Sequence, residues 1–370
     1  MLTLAQEPRF KAKIKLIGVG GAGCNTVSFA SEYGIEGVEL IAVNTDAQHL
    51  QFQVRAAEKL QIGVNLTRGL GAGGDPEIGR KAAEESREEI RNIVQDTDMV
   101  FIACGEGGGT GTGASPVIAK EAKDAGALVV AVVTKPWSHE GPRKMKIAER
   151  GIEELSEIVD TLICIPNDKI NMVFPQDQSA VEILRGGNVV LFNAIKGIAE
   201  LVTKPGFINL DFADVRAVMT ERGKAILGLG ISEGENRAIQ AAQAAISSPL
   251  LDNISLSSAK GILINISGAD VKMKEVSEAS NLIMGAINNH EVNAKVGLVV
   301  DESLNNKIQI LVVATGITEE PVESKIDLGL RGENMELPTF KRREPKKEIK
   351  ERAYNPNDLE VPTFLRRQVD

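Results

Sequence analysis

Aromatic side chains are scarce in this sequence, only 4% of 370 residues with a single tryptophan, so any core must be built from aliphatic residues and alanine. Cysteine is scarce too. Cys24, Cys104 and Cys164 lie in apolar or glycine-rich segments without metal-ligand spacing, which excludes a disulfide framework or a cysteine metal site and reads as three small buried hydrophobes. Basic excess is absent: a net charge of -9 and a pI near 5.2 leave no electrostatic footprint for nucleic acid. No apolar run approaches the roughly 18 residues of a membrane span, and the opening MLTLAQEPRFKAK has no apolar core ahead of a small-residue cleavage site, so no secretory signal is read. A cytoplasmic protein without direct membrane insertion is expected. The three histidines, His49, His139 and His290, have no evident catalytic neighbours.

What is present is ordinary globular composition, 43% hydrophobic and 25% charged, at a length that suits two domains and a tail. Aliphatic runs at 14–19 (IKLIGV), 38–43 (VELIAV), 99–103 (MVFIA), 128–133 (LVVAVV) and 161–165 (TLICI) read as strands covered on both faces. Helical stretches such as 77–94 separate them. This alternation predicts a doubly wound α/β domain with a parallel sheet, whose ligand binds beyond the carboxyl ends of the strands. A long helical period over 179–203, stopped by Pro205-Gly206, predicts a central linking helix. Beyond it, a helix at 237–247, strands at 261–266, 296–300 and 308–314, and a helix near 275–288 predict a smaller α/β domain. Residues 319–358 are charged and punctuated by proline and read as a flexible linker. Within it, 341–352 carries seven basic and three acidic residues, read as a solvated charge run.

Three glycine-rich segments follow or separate the strands. In GVGGAGCN (18–25), Gly18, Gly20 and Gly23 satisfy G-x-G-x-x-G. That pattern brings backbone close to a phosphate at a helix N-terminus and leaves a dinucleotide site as an open rival. The second, GEGGGTGTGASP (105–116), contains the run Gly107, Gly108, Gly109, Thr110, Gly111, Thr112, Gly113 and leads into a helix expected to begin near Ala114. Its glycine amides and threonine hydroxyls suit several phosphate oxygens, and a dehydrogenase has no use for a second cradle. GLGAGGDP (69–76) lies between the second and third of the predicted strands, where it is placed to close over a terminal phosphate. No G-x-x-x-x-G-K-[ST] occurs, so a lysine-bearing P-loop is excluded.

At GGGTGTG the chain resembles the tubulin/FtsZ superfamily, and from about 13 to 316, and again at the C-terminal end, it is similar to the FtsZ branch. The resemblance implies a Rossmann-like GTPase domain, GTP/GDP with Mg2+, head-to-tail polymerisation and a place at the division site. It carries nucleotide contacts onto Gly20, Gly21, Gly23 and Asn25, onto Asn44 and Asp46 of NTDAQ, onto Gly71, Ala72, Gly73 and Gly74, and onto the run from Gly107 to Gly113. The catalytic pattern N-x-D-x-x-D falls on Asn209, Asp211 and Asp214 of GFINLDFADVR. In the family this loop enters the next subunit's site. Two carboxylates three apart on a first helical turn share a face and can orient a water or a cation, although acidic residues are favoured in any first turn.

The ribose stretch of the family resembles KPWSHEGPRKM (135–145), with Glu140 at the acidic position and Lys144, beside Arg143, where the family has arginine. Leu184 stands in place of a phenylalanine over the base and Val189 in place of an Asp or Asn, so guanine selectivity is expected from Asn25, Asn188 or backbone groups. Glu106 replaces an apolar residue and is expected to point to solvent or an interface, a cation-linked role being the alternative. The terminal NPNDLEVPTFLRRQVD resembles the family's partner-binding peptide, and NMELPTFKRRE upstream repeats its Pro-Thr-Phe core 24 residues earlier. The expected divisions are an arm (1–12), a nucleotide-binding domain (13–178), the central helix (179–203), a catalytic loop with a helix (204–222), a C-terminal α/β domain (223–316), a linker (317–353) and a peptide for membrane-tethering and regulatory division proteins (354–370). Residues 334–343 are a second candidate for that peptide's role. A non-hydrolysing paralogue and a nicotinamide-dependent dehydrogenase are the alternatives.

Overall fold

The computed structural model describes residues 12–173, 180–204, 210–221, 223–251, 256–287, 289 and 291–317. The expected arm, linker and terminal peptide lie outside the described residues. The chain divides into two units, Met1–Glu320 and Pro321–Asp370, and the description below concerns the first.

All five predicted strands of the first half form, as β1 (Ile14–Val19), β2 (Val38–Asn44), β4 (Met99–Gly105), β5 (Leu128–Lys135) and β6 (Thr161–Pro166). A short polar strand escaped the reading, β3 (Glu58–Gln61), because EKLQ carries no aliphatic run. The helices among them are α1 (Gly20–Tyr33), α2 (Ala47–Phe52), α3 (Val64–Thr67), α4 (Pro76–Glu85), α5 (Arg87–Val94), α6 (Gly109–Asp124), α7 (Pro142–Ile158) and α8 (Asn167–Val173). The single helix expected over 77–94 is two. Ser86 leaves helical geometry (ψ 28°), and its hydroxyl accepts from the Gly63 amide at 3.2 Å instead of capping α5.

Strands run in the order β3-β2-β1-β4-β5-β6, all parallel. The order reverses between β1 and β4, and a crevice opens at such a switch point beyond the strands' carboxyl ends. One pair, Ile163 with Ala225, continues the sheet into β7 (Lys224–Glu233). From there the order is β7-β10-β8-β9, with β8 (Gly261–Gly268), β9 (Asn293–Val300) and β10 (Lys307–Ile317), antiparallel except for β8 with β9. The described strands thus make one ten-stranded sheet. β7 was not foreseen because glycines interrupt its aliphatic run. Both are packing glycines: a Cβ on Gly228 would stand 2.3 Å from the Ala245 carbonyl, and one on Gly230 2.0 Å from that of Ala241. Those carbonyls belong to α11 (Arg237–Ile246), which together with α12 (Met273–Ile287) covers that half.

The central helix, α9 (Ala180–Thr203), packs on α1 and β5 of the first half and on β8 and β9 of the second. Phe192 meets Phe29 edge-on at 5.1 Å, Asn265 donates to the Gly197 carbonyl at 2.7 Å, and Lys196 pairs with Asp301 at 2.8 Å. One apolar cluster therefore includes side chains of both halves, from Leu16 and Phe101 to Leu263 and Val313. After it, α10 (Phe212–Met219) lies against β8 and β9. Among the described residues no helix is long and apolar enough to cross a membrane.

Two glycine substitutions test this packing. Gly113→Ala would push a Cβ to 2.0 Å from the Pro76 carbonyl and 2.6 Å from the Arg80 amide, backbone that cannot rotate away, and should cost at least about 2 kcal/mol in urea unfolding. Gly285 in α12 has nothing within 4 Å of that position, so Gly285→Ala should stabilise by roughly 0.5–1 kcal/mol.

Candidate functional site

Two helices begin where the sheet's strand order reverses. α1 starts at Gly20, directly after β1, and α6 starts at Gly109 behind an extended Gly108. The phosphate-loop glycines are therefore already helical, five residues earlier than expected. Glycine is costly inside a helix, but here each missing side chain admits a neighbour. A Cβ on Gly20 (φ 71°) would meet the Gly111 amide at 2.8 Å, so the two helix starts touch. On the other face of α6, a Cβ on Gly109 would stand 2.8 Å from that of Ala72, and Gly113 faces Pro76. Gly23 serves packing in the same way, 2.2 Å from the Ala103 carbonyl of β4.

The first-turn amides of a helix have no partners within it, and its N-terminus carries partial positive charge. Two such ends share one cleft of about 330 Å3, lined by Gly21, Gly108, Gly109, Thr110, Gly111, Glu140 and Lys144 among the expected residues. Val19, Ala22, Gly105, Glu106, Thr134, Pro136 and Asn167 complete the lining and were not assigned to it from sequence. Thr134 is the next-to-last residue of β5 and Pro136 lies just beyond the strand, a position the crevice rule alone marks. Asn167 opens α8, a short helix without a helical period in its residues.

The remaining expected residues stand around this cleft in supporting positions. Asn44 is buried, and its Oδ1 accepts from the Thr45 amide at 2.9 Å while its Nδ2 meets His49 at 3.3 Å. Asp46 caps α2 through the His49 amide at 2.9 Å and bridges to Leu70. Thr45 hydrogen-bonds Thr110 at 2.7 Å, so the 44–48 loop is tied both to α6 and to the third glycine segment. Gly71, Gly73 and Gly74 take left-handed φ of 83°, 60° and 77°, and Ala72 is buried against Gly109. Gly107 (φ 92°) donates to the Thr112 hydroxyl at 2.9 Å and lies against the Lys144 stem. Asn25 is exposed on α1.

Of the neighbours Arg143 and Lys144, the second lines the cleft and the first is exposed. Lys144 pairs with Glu140, whose other oxygen accepts from the Trp137 amide at 2.8 Å. Partial burial pushes the Glu140 carboxyl up, but the ammonium and the amide outweigh it and hold it below the ordinary glutamate range. Asn188 and Val189 are half-buried on α9 and directly follow Gly187, whose Cβ position is 4.0 Å from Asn167 Oδ1. The side chain of Leu184, and all of Asn209, lie outside the described residues.

The expected catalytic carboxylates are far from this cleft. Asp211 caps α10, accepting from the Asp214 amide at 2.7 Å. Asp214 pairs with Lys295 of β9 at 2.6 Å, and that ammonium holds its carboxyl below the usual aspartate range. α10 is anchored at the amino end of the parallel strands. Arg216 donates to the Gly126 carbonyl, just before β5, at 3.3 Å, and Thr161, the first residue of β6, donates to the Met219 carbonyl. The cleft is at the other end. Eight residues of β5 separate the two by roughly 25 Å.

Comparisons with known proteins match both halves of the chain. The family model described as Tubulin/FtsZ family, GTPase domain, matches residues 13–175, and that of the FtsZ family, C-terminal domain, matches 223–318. The chain is 46% identical to a cell division protein FtsZ of Buchnera aphidicola over 97% of each chain. It is 51% identical to cell division protein FtsZ 1 of Thermococcus kodakarensis, covering 84% of this chain and 82% of that one. A solved FtsZ dimer from M. jannaschii, described as empty, superposes with a TM-score of 0.79 at 46% identity, covering 83% of this chain and 88% of its own.

Glu106 corrects the sequence reading. Expected at solvent or an interface, its side chain is only 3% exposed, because it turns beneath the loop toward α7. Cys104 donates to its Oε1 at 3.3 Å, and its Oε2 has no partner. Burial raises its pKa to about 7, against the lowering effect of Cys104 and Thr112. The folded protein therefore holds this proton more tightly than the unfolded chain. Stability should fall as pH rises from about 4.5 to about 7, by on the order of 3 kcal/mol, and level off above. Glu106→Gln should remove that slope and unfold at higher urea than the parent at pH 8; parallel pH profiles would contradict the buried placement.

Proposed function

The chain belongs to the tubulin/FtsZ family of GTPases, and from that premise we propose a cell-division GTPase that assembles head to tail and hydrolyses GTP where one subunit's cleft meets the next subunit's α10. The observation that carries this reading is the separation just described. The phosphate cradle occupies the carboxyl ends of the strands, and Asp211 and Asp214 are anchored beyond the amino end of β5. Rigid elements at opposite poles cannot meet within one chain. They meet when copies stack in one direction, a heterologous contact that forms filaments.

In this arrangement the amides of α1 and α6, with the Thr110 hydroxyl, hold the phosphates. Lys144, positioned by Glu140, faces the ribose side. The incoming Asp211 and Asp214, with Asn209, orient the attacking water. Phosphoryl transfer depends mainly on positioning and charge stabilisation, which a site divided between subunits can supply once the two are docked. Lys295 travels with Asp214 and keeps it ionised. No group of three His, Cys, Asp or Glu able to hold a metal occurs among the described residues. That fits Mg2+ held chiefly by phosphate oxygens and water, where it would neutralise charge on the transferred group. Base choice falls to Asn188 and Asn25, since Val189 offers no hydrogen bond.

The terminal peptide 354–370 serves as the docking segment for membrane-tethering and regulatory division proteins, and 334–343 as a second copy that adds avidity. The seven sequence divisions given above stand as the domain plan. Division-site localisation follows from those partners.

Phosphate release measured against protein concentration, with light scattering on the same samples, tests the shared site. Release should be specific for GTP over ATP and should rise steeply above a concentration threshold, together with scattering. Release strictly proportional to concentration, without scattering, would place the whole machinery in each subunit. Asp214→Ala should keep nucleotide binding and lower turnover at least about 100-fold; unchanged turnover would remove Asp214 from the reaction.

A further inference from the structure

We propose that Glu106 is a positioning residue of the phosphate loop that supports nucleotide binding as the neutral acid, so that a nucleotide in the cleft and a proton on Glu106 favour each other. This inference rests on the reading of the cleft as the phosphate site.

Glu106 is one of the residues that line the cleft, and its amide is fixed to the Thr134 carbonyl at 2.9 Å. Its carboxyl occupies space that exists because residue 151 is glycine. A Cβ there would come within 2.4 Å of Glu106 Oε2 and 2.3 Å of Thr112 Cγ2. The carboxyl thus lies against Thr112, the same residue whose hydroxyl orients the Gly107 amide at 2.9 Å. A change of charge at Glu106 acts on a hydrogen bond that shapes the loop.

Among the described residues no cation is paired with a negative charge there, and the neighbours that favour one are neutral hydrogen-bonding groups whose effect burial outweighs. From β4 comes the Cys104 thiol, which burial keeps protonated. From α6 come the uncharged Thr112 and Ser115, and β6 contributes Cys164 behind Cys104. From α7, Glu154 adds like charge, and it is itself held by Arg80 of α4 through two bonds of 2.6 Å. Lys144, beside Gly107, is paired with Glu140. Among the described residues, Arg80 and Lys144 are thus each engaged by another carboxylate. An ionised Glu106 would face the phosphates across a low-dielectric wall, where like charges repel strongly. By linkage, whatever the carboxylate costs the nucleotide, the nucleotide returns as increased proton affinity.

Titration calorimetry with GDP reads both sides of this coupling. The full chain and Glu106→Gln are each titrated at pH 6, 7 and 8.5, in two buffers of different ionisation enthalpy. The parent should lose about tenfold more affinity across that range than Glu106→Gln and should take up a fraction of a proton that the variant does not. The nucleotide's own terminal phosphate, which ionises near pH 6, contributes equally to both proteins and cancels. Should the variant fold poorly, the parent alone decides: proton uptake on binding at pH 8, where the phosphate is already ionised, supports the coupling, and none overturns it. Equal profiles and equal proton counts would overturn this inference alone. Failure of GDP to bind the parent would overturn the cleft reading and this inference with it.

Discussion

Contact between two helix starts governs the rest of this molecule. α1 and α6 touch at Gly20 and Gly111, where any side chain on Gly20 would strike the facing amide at 2.8 Å. Side chains at this point would part the helices, and two amide-bearing ends would face separate spaces instead of one cleft. The surrounding glycines extend the same device. Gly109 and Gly113 let α4 and the 71–74 segment close on α6, and Gly23 lets α1 lie on β4. The glycines that look like a phosphate-binding signature divide into some that line the cleft and some that let its walls meet. Without a phosphate-loop lysine, charge recognition falls mainly on oriented backbone dipoles, which keep their orientation only while the packing holds.

A cleft made of backbone binds phosphate but supplies little to activate water. The acidic pair that could do so is anchored through Arg216 and Met219 near the amino ends of β5 and β6, and the continuous sheet with α9 as its spine keeps the poles apart. α9 shares one apolar cluster with both halves, so the spacing between cleft and carboxylates is a property of the core. A rigid spacing suits the proposed head-to-tail assembly, in which each docking would present Asp211 and Asp214 to the neighbour's cleft in the same way.

Much of the fold was legible because long aliphatic runs have one economical use, as buried parallel strands. The strands that escaped break that rule: β3 is polar and at an edge, and β7 carries glycines that only α11 explains. The cleft lining was legible where glycine-rich backbone forms the wall, as at Gly21 and Gly108 to Gly111, and at Lys144, which the structure separates from Arg143. It was not legible where tertiary contact decides a side chain's direction. Asn44 and Asp46 spend their oxygens on their own loop. Glu106 turns inward because residue 151, on a helix 45 positions away in sequence, is glycine, and no local pattern announces that vacancy.

Mixing two disabled proteins tests the divided site most directly. Asp214→Ala removes a carboxylate and leaves the cleft intact. Gly21→Asp places a negative charge on the first turn of α1, where a Cβ has open space, so it should block phosphates without disturbing the fold. Each alone should release almost no phosphate from GTP. Combined in equal amounts, random head-to-tail assembly gives about a quarter of the interfaces an intact cleft facing an intact carboxylate pair, and turnover should recover toward that fraction. A mixture as inactive as its components would contradict a site shared between subunits.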